Sequence, residues 1–425
     1  MLPVFDEYKK MLADFNIDLS NYDTNKLWID RLIIRGFDKN GNDRKILRLK
    51  VNDNLEYEYK FYANPPENEE LETWEDTYNR LKFIIDKKEE ESISVIKASI
   101  KKYPEALLVL FTSMGKDSKL LEYILRKVTT NYKIVFNNTT CDSADVYKEV
   151  KQRPEVEIVT PKDKSGNNLS LYHIAEQYGF ATRHHRWCCG IFKELATKNY
   201  LFEENNVIQY LGMRNEESFT RSNYQFEQED DRFDKRFHKF LPIRKWTELE
   251  LWLYTLHHNI SINSKYLKGY HRVGCHIVCP YYTKSTWVLD KYWYKKQYDR
   301  FHNKLSKIFW DKELCCRLNC TENEYHLNWN GGQVRKTPTK EVIEEFMKYK
   351  GFDDYNLASQ YFEKKCDCCG KNVYKKDEVA MNLKFFGKEI NSFKCKKCLL
   401  KHFNWDKEQW DNQVEMFKQN NCILF

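Results

Sequence analysis

The rhythm of apolar and polar positions changes along the chain. Arg31–Arg35 and Lys45–Val51, apolar residues set among basic ones, read as two strands. Asp38-Lys39-Asn40-Gly41-Asn42 between them is turn chemistry, so the pattern predicts a hairpin, with Tyr57–Tyr62 as a third strand. Pro65-Pro66 and an acidic stretch mark a linker, and Trp74 to about Lys102 has helical periodicity with a charged outer face. From Leu107 the apolar runs become continuous. Leu107–Phe111 suits a buried parallel strand, and Tyr132–Phe136, Val156–Thr160 and Asn206–Met213 read as further strands, separated by helical segments. This alternation predicts an α/β fold, a doubly wound and mostly parallel sheet, preceded by an N-terminal α+β accessory region. The expected divisions are residues 1–102, the sheet domain at 103–295, a helical extension at 296–360, and a cysteine-rich module with a C-terminal helix at 361–425.

The first continuous run leads into Thr112-Ser113-Met114-Gly115-Lys116-Asp117-Ser118, and an amphipathic helix follows at once. Free N–H groups and the positive end of the helix dipole favour an anion there. Gly115 permits close backbone approach to a phosphate, and Lys116 adds a point charge. The loop is not a Walker A motif, because Asp117 stands where that motif has Ser or Thr. With 425 residues, 41% hydrophobic, the chain is long enough for two or three domains. Its net charge of +7 is compatible with nucleic acid without demonstrating it. No apolar run reaches membrane-span length and no signal-peptide pattern is present, so a cytoplasmic protein with no membrane partner is expected. The 14 cysteines then read as metal ligands or reactive thiols.

Five further segments carry chemistry: Asn138-Thr139-Thr140-Cys141-Asp142 through Tyr147, Arg183 to Lys193 around Cys188-Cys189, Gly212-Met213-Arg214 through Arg221, Leu241-Pro242-Ile243-Arg244, and Tyr266 to Pro280 with Cys275 and Cys279. In this order after Ser-x-Gly-Lys-Asp-Ser, they resemble the PAPS reductase superfamily, a PP-loop (HUP-like) branch of the adenine nucleotide α-hydrolases. The Asn138–Tyr147 stretch is similar to the family's Asp-Thr-Gly-x-Glu-x-x-Glu-x-Tyr, with Asn138 in place of Asp and Asp142 in place of Glu. The resemblance implies cleavage of ATP between the α and β phosphates. Ser113, Gly115, Lys116, Asp117 and Ser118 would cradle the β and γ phosphates, with Mg²⁺ bridging them. Asn138, Thr139 and Gly212 join the nucleotide site. Asp117 either orients the loop or reaches the metal. Arg214 and Arg221 would clamp phosphate as planar forks, with Glu217 as an orienting partner. Lys116, Asp117, Arg214 and Arg221 are the catalytic candidates.

Cys188, Cys189, Cys275 and Cys279 are similar to the [4Fe–4S] ligand set of the adenosine-5′-phosphosulfate branch, with three residues inside the second pair instead of two. The Glu-Cys-Gly-Leu-His segment of assimilatory reductases is missing, which argues against a sulfonucleotide reductase. The character is closest to DNA-phosphorothioation (DndC-type) and phage-encoded relatives. Cys366, Cys369, Cys395 and Cys398, about 25 residues between the pairs, predict a zinc-ribbon-like Zn²⁺ site with hairpin-like strands between them. Cys368 leaves the register of the first pair open. Residues 363–401 hold 11 Lys against 5 Asp plus Glu, and with Phe385, Phe386 and Phe393 they suit either nucleic-acid contact or a solvated structural module. Cys315, Cys316 and Cys320, clustered without an evident fourth partner, read as buried or incidental thiols, with metal ligation as the alternative. The leading function is an ATP pyrophosphatase that adenylates a nucleic-acid or nucleotide substrate for sulfur transfer, with a cysteine desulfurase or other sulfur donor as partner. The alternatives are a sulfonucleotide reductase and a non-catalytic nucleotide- or nucleic-acid-binding module.

Overall fold

The computed structural model describes residues 1–228, 236–312, 314–331, 337–360, 362, 365–371, 373, 376–387, 390, 392–420, 422 and 424. The chain divides into two compact units, one of residues 1–177 and 187–298, the other of 178–186 and 299–425.

The first unit holds two sheets. The N-terminal sheet runs in the order β1 (Leu2–Pro3), β2 (Trp28–Asp30), β3 (Ile33–Phe37), β4 (Asp43–Val51) and β5 (Tyr57–Phe61), every neighbouring pair antiparallel. The predicted hairpin is β3–β4, and its turn is closed by Asp38, whose Oδ1 accepts the N–H groups of Asn40 (3.0 Å) and Asn42 (2.9 Å). The helix Trp74–Lys102 starts at a Thr73–Asp76 capping box. It is tied to the chain around the second sheet by buried hydroxyls: Ser92 Oγ donates to the Pro242 carbonyl (3.0 Å) and accepts from Trp246 Nε1 (3.0 Å), and Ser99 meets Tyr210 Oη at 2.7 Å.

The second sheet comprises β6 (Leu107–Thr112), β7 (Lys133–Asn137), β8 (Val156–Val159), β9 (Val207–Tyr210), β10 (Glu227–Gln228) and β11 (Phe237–Phe240), in the order β10-β11-β9-β6-β7-β8. All pairings are parallel except that of β10 on the edge. One side is filled by Val109, Val135, Leu201, Val207 and Phe237. β6 lies inside the sheet between β7 and β9, so the loops after these three strands are neighbours at the strands' C-terminal ends, where open α/β sheets bind ligands. The loop after β9 also comes against the start of the helix after β6. A Cβ built on Gly212 would stand 2.9 Å from the Asp117 carbonyl carbon and 3.0 Å from Ser118 N. Glycine is required there by backbone against backbone.

The second unit is helical over much of its described length. One apolar core gathers Phe309, Cys315, Cys316, Cys320, Val342, Ile343, Phe346, Ala358 and Phe362, so the three clustered cysteines sit among hydrocarbon, as buried thiols do. The hairpin-like strands expected between the two C-terminal cysteine pairs are corrected: a helix, Lys376–Phe386, occupies that stretch. Its Met381 enters an apolar cluster with Leu399, Trp410, Val414 and Phe417, and that burial outweighs local strand tendency. Among the described residues, no helix is long and apolar enough to cross a membrane.

Gly212→Ala should destabilise the first unit by about 1–3 kcal/mol, the cost of overpacking a site with nowhere to yield. A lowered thermal or urea midpoint checks this.

Candidate functional site

The phosphate-loop residues take their places from both ends. Thr112 closes β6, and its Oγ1 accepts the Met114 N–H (3.0 Å) while donating to Ser118 Oγ (3.1 Å). Met114 is left-handed (φ 57°), a conformation that costs a non-glycine residue roughly 1–2 kcal/mol and is held here by that bond and by burial. Gly115 caps the Lys116–Arg126 helix; a Cβ on it would stand 3.0 Å from Ser113 Oγ and 3.2 Å from Tyr266 Oη. Tyr266 Oη accepts the Lys116 N–H at 2.9 Å.

Charge then gathers on Asp117. Lys116 Nζ donates to its Oδ2 (3.0 Å) and Arg214 Nε to its Oδ1 (2.6 Å). Lys116 also stands 3.5 Å from Glu248. Arg214 Nη1 donates to Glu216 (2.8 Å), which in turn accepts the Glu248 N–H (2.6 Å). Lys116 and Arg214 are both buried. Burial works against charge on all three groups. Lys116 and Arg214 nonetheless hold the Asp117 carboxyl below the usual carboxylate range, and Asp117 holds both cations above theirs. Arg221 is not among the groups that meet at Asp117; its guanidinium pairs with Glu217, which itself accepts the Arg214 N–H (2.9 Å).

The loop after β7 is braced from within. Asn138 Oδ1 accepts from the Thr140 N–H (2.9 Å) and Tyr147 Oη (2.9 Å), and its Nδ2 donates to Thr160 Oγ1 (3.0 Å). The amide supplies a donor that an aspartate would lack. Thr139 Oγ1 donates to Asp142 (2.6 Å). A backbone bridge, Asp142 with Cys275, and the His276 N–H donating to the Cys141 carbonyl (2.8 Å) fasten this loop to the segment carrying Cys275 and Cys279.

Cysteines converge there. The Cys188 thiol shares a hydrogen bond with Cys189 and lies within electrostatic reach of Cys275 and Cys279. Cys275 is held well below the ordinary thiol range, first by a hydrogen bond with Cys141 and further by Lys193 and Arg272. Lys193 is raised in turn, chiefly by Cys275. Four thiols facing two cations fit an anionic iron–sulfur cluster in donor type and charge. Sequence reading assigned no role to Cys141, Arg272, Tyr266 or Glu248. For Cys141 the signal was available, since it follows a strand's C-terminal end, and Arg272 stands close before Cys275 in the chain; Tyr266 and Glu248 depend on contacts with Lys116 across more than 100 residues.

In the second unit, the sulfurs of Cys366, Cys369, Cys395 and Cys398 all lie within 4.8 Å of one another. The first pair is turned by Gly370 (φ 70°), whose N–H donates to the Cys366 carbonyl (2.7 Å), and Cys395 caps the Lys396–Phe403 helix. Four converging thiols at this spacing fit one tetrahedral metal ion. Cys369, not the exposed Cys368, completes the first pair. Phe393 is buried beside the cysteines and Phe386 stacks on Phe403, so both serve packing instead of base stacking.

Residues 107–280 match the family described as phosphoadenosine phosphosulfate reductase domain, and the chain carries such a domain there. An uncharacterized protein of Methanocaldococcus jannaschii is 26% identical over 252 residues, 58% of this chain and 60% of that protein. The chain thus matches under two thirds of that relative's length. The adenosine 5′-phosphosulfate reductase of Bacillus cereus is 29% identical over 210 residues, 48% of this chain and 85% of the enzyme. Among solved structures, the PAPS reductase of Candida auris in its phosphate complex is similar at 16% identity and a TM-score of 0.35, covering 45% of this chain and 93% of its own.

Two outcomes test this geometry. Asp117→Asn leaves two buried cations without their shared carboxylate and should cost about 3 kcal/mol at neutral pH. Because the folded carboxyl lies below its unfolded value of about 3.9, its stabilisation is complete above that pH and fades as pH falls through the folded value. Melts of the wild type should show this acid loss and those of the variant should lack it. Separately, Cys369→Ser should lose the metal of the C-terminal site by elemental analysis while Cys368→Ser keeps it.

Proposed function

We propose that the chain is a PP-loop ATP pyrophosphatase that adenylates a nucleic-acid or nucleotide acceptor for replacement of oxygen by sulfur. The observation that carries this reading is the pair of buried cations, Lys116 and Arg214, locked by Asp117 at a helix N-terminus. In the proposed step the acceptor oxygen bonds to the α phosphorus, the bond between that phosphorus and the bridging oxygen to the β phosphate breaks, and pyrophosphate departs. Negative charge grows on the leaving β and γ phosphates, where Lys116, Arg214 and the N–H groups of Gly115, Asp117 and Ser118 would stabilise it. Asp117 acts as the orienting group, since both its oxygens are engaged by cations. Gly212 allows Arg214 to reach across; Asn138 and Thr139 shape the adjoining wall. Arg221, tied to Glu217, would turn to a phosphate only on binding. Mg²⁺ would be held mainly by the phosphates and water, because the nearby carboxylates already serve Lys116 and Arg214.

Cys188, Cys189, Cys275 and Cys279 would hold a [4Fe–4S] cluster, which supplies iron-centred sulfur or electron chemistry when bound. The C-terminal four-cysteine site would hold a structural Zn²⁺. A cysteine desulfurase or comparable donor would bring the sulfur.

A second reading, sulfonucleotide reduction, is favoured by the Bacillus cereus match over 85% of that enzyme. One experiment separates the two. Given ATP, Mg²⁺ and candidate nucleic acids, the protein should release pyrophosphate, with AMP following only when sulfide is added to displace it from the acceptor, and Lys116→Ala should lower the rate of pyrophosphate release at least about 100-fold, as loss of a charge-stabilising group does. Sulfite from adenosine phosphosulfate and a thiol reductant, without pyrophosphate from ATP, would establish the reductase instead.

A further inference from the structure

We propose that Tyr266 is a phosphate-binding residue, its hydroxyl standing in for a helix N–H and donating to the β or γ phosphate; the inference rests on reading the loop at Gly115 as a polyphosphate cradle. The helix Lys116–Arg126 opens with N–H groups that have no partner inside the helix. That of Lys116 is taken, because Tyr266 Oη accepts it at 2.9 Å. A hydroxyl accepts and donates at once. By accepting there Tyr266 keeps a proton to give, and among the described residues no acceptor meets it. Tyr266 is 1% exposed, so bulk water does not reach that proton. A buried donor left unmet costs free energy until an acceptor arrives, and at a helix N-terminus the favoured acceptor is an anion.

Neighbouring groups put the hydroxyl in the cradle. A Cβ built on Gly115 would stand 3.2 Å from Tyr266 Oη and 3.0 Å from Ser113 Oγ, so the glycine opens a space flanked by two hydroxyls. Lys116 Nζ lies 5.8 Å from the centre of the Tyr266 ring, which brings the ammonium to the same corner. The position is set by the fold. The Tyr266 ring packs edge-on against Trp252, with centroids 5.0 Å apart. Asn263 opens the short helix Ser264–Leu267; its Oδ1 accepts the Lys265 N–H (3.0 Å) and its Nδ2 donates to Glu149 (2.6 Å). Burial pushes the hydroxyl up to about 12, so the proton stays on the oxygen at neutral pH. The donor is thus in place before a ligand arrives, and it holds the anion without itself making or breaking a covalent bond.

The test reads binding by the full chain in calorimetry, with Mg²⁺ and either pyrophosphate or AMP as the probe. Tyr266→Phe keeps the ring, and with it the cover over the Lys116 N–H, and removes only the hydroxyl. It should bind pyrophosphate about tenfold more weakly, the loss expected of a hydrogen bond to a charged group. It should bind AMP as the wild type does, because AMP lacks the β and γ phosphates. Replacing Tyr266 by para-aminophenylalanine, which restores a donor at the same ring position, should recover most of the affinity for pyrophosphate. A Tyr266 that only supports the loop gives another pattern: in Tyr266→Phe the thermal midpoint falls while both probes bind as before, or both weaken together and the amine does not rescue them. Either pattern would overturn the donor role and leave the cradle reading standing. A wild type that binds neither pyrophosphate nor ATP would overturn both.

Discussion

A single carboxylate shared by two buried cations organises the candidate site. Taking the charges of Lys116 and Arg214 out of water costs several kcal/mol each unless an anion meets them. Asp117 meets both, one oxygen to each. It also stands in the first turn of a helix, where negative charge is favoured by the dipole. The bridge fixes more than two side chains. Lys116 comes from the loop after β6 and Arg214 from the loop after β9, so their common partner sets the distance between the two loops. Glu216 extends the hold to the helix Glu248–His257 by accepting its first N–H. An entering polyphosphate would find cations already oriented, which is what electrostatic preorganisation requires.

The thiol corner depends on the same sheet. β7 lies beside β6, so the loop bearing Cys141 and Asp142 is next to the phosphate loop by topology. The segment from Tyr266 to Cys279 joins the two regions: Tyr266 takes the Lys116 N–H, and Cys275 bridges to Asp142. The phosphate loop and the loop of Cys141 and Asp142 are therefore both fastened to one stretch of chain. In the second unit, the four-cysteine site lies in a small core of its own, with Val373 and Phe393 packed beside the cysteines. Metal binding would contribute folding free energy there directly.

Much was legible before any coordinates. Continuous apolar runs gave the parallel strands because strands covered on both faces admit few polar residues. Gly41 and Asp38 marked the β3–β4 turn through the backbone they permit and the N–H groups they accept. The cysteine spacing marked the C-terminal metal site because two tight turns are enough to converge four thiols. Where local and tertiary preferences diverged, the reading failed: Lys376–Phe386 is a helix because Met381 is buried against Leu399 and Trp410.

Sequence by itself determined the kinds of group present and the strand-loop-helix order that brings polar loops to the ends of a parallel sheet. Both follow from interactions among residues close along the chain. Tertiary structure decided which of those groups meet. Asp117 pairs with a guanidinium 97 residues away, and Arg221, equally plausible as a clamp, pairs locally with Glu217. Asp142 bridges to a cysteine far along the chain, and Cys368 is left out of a set it adjoins. The physical reason is that such choices rest on sheet order, on where a glycine lets two backbones touch and on which charges are buried together, and none of these leaves a mark on local spacing.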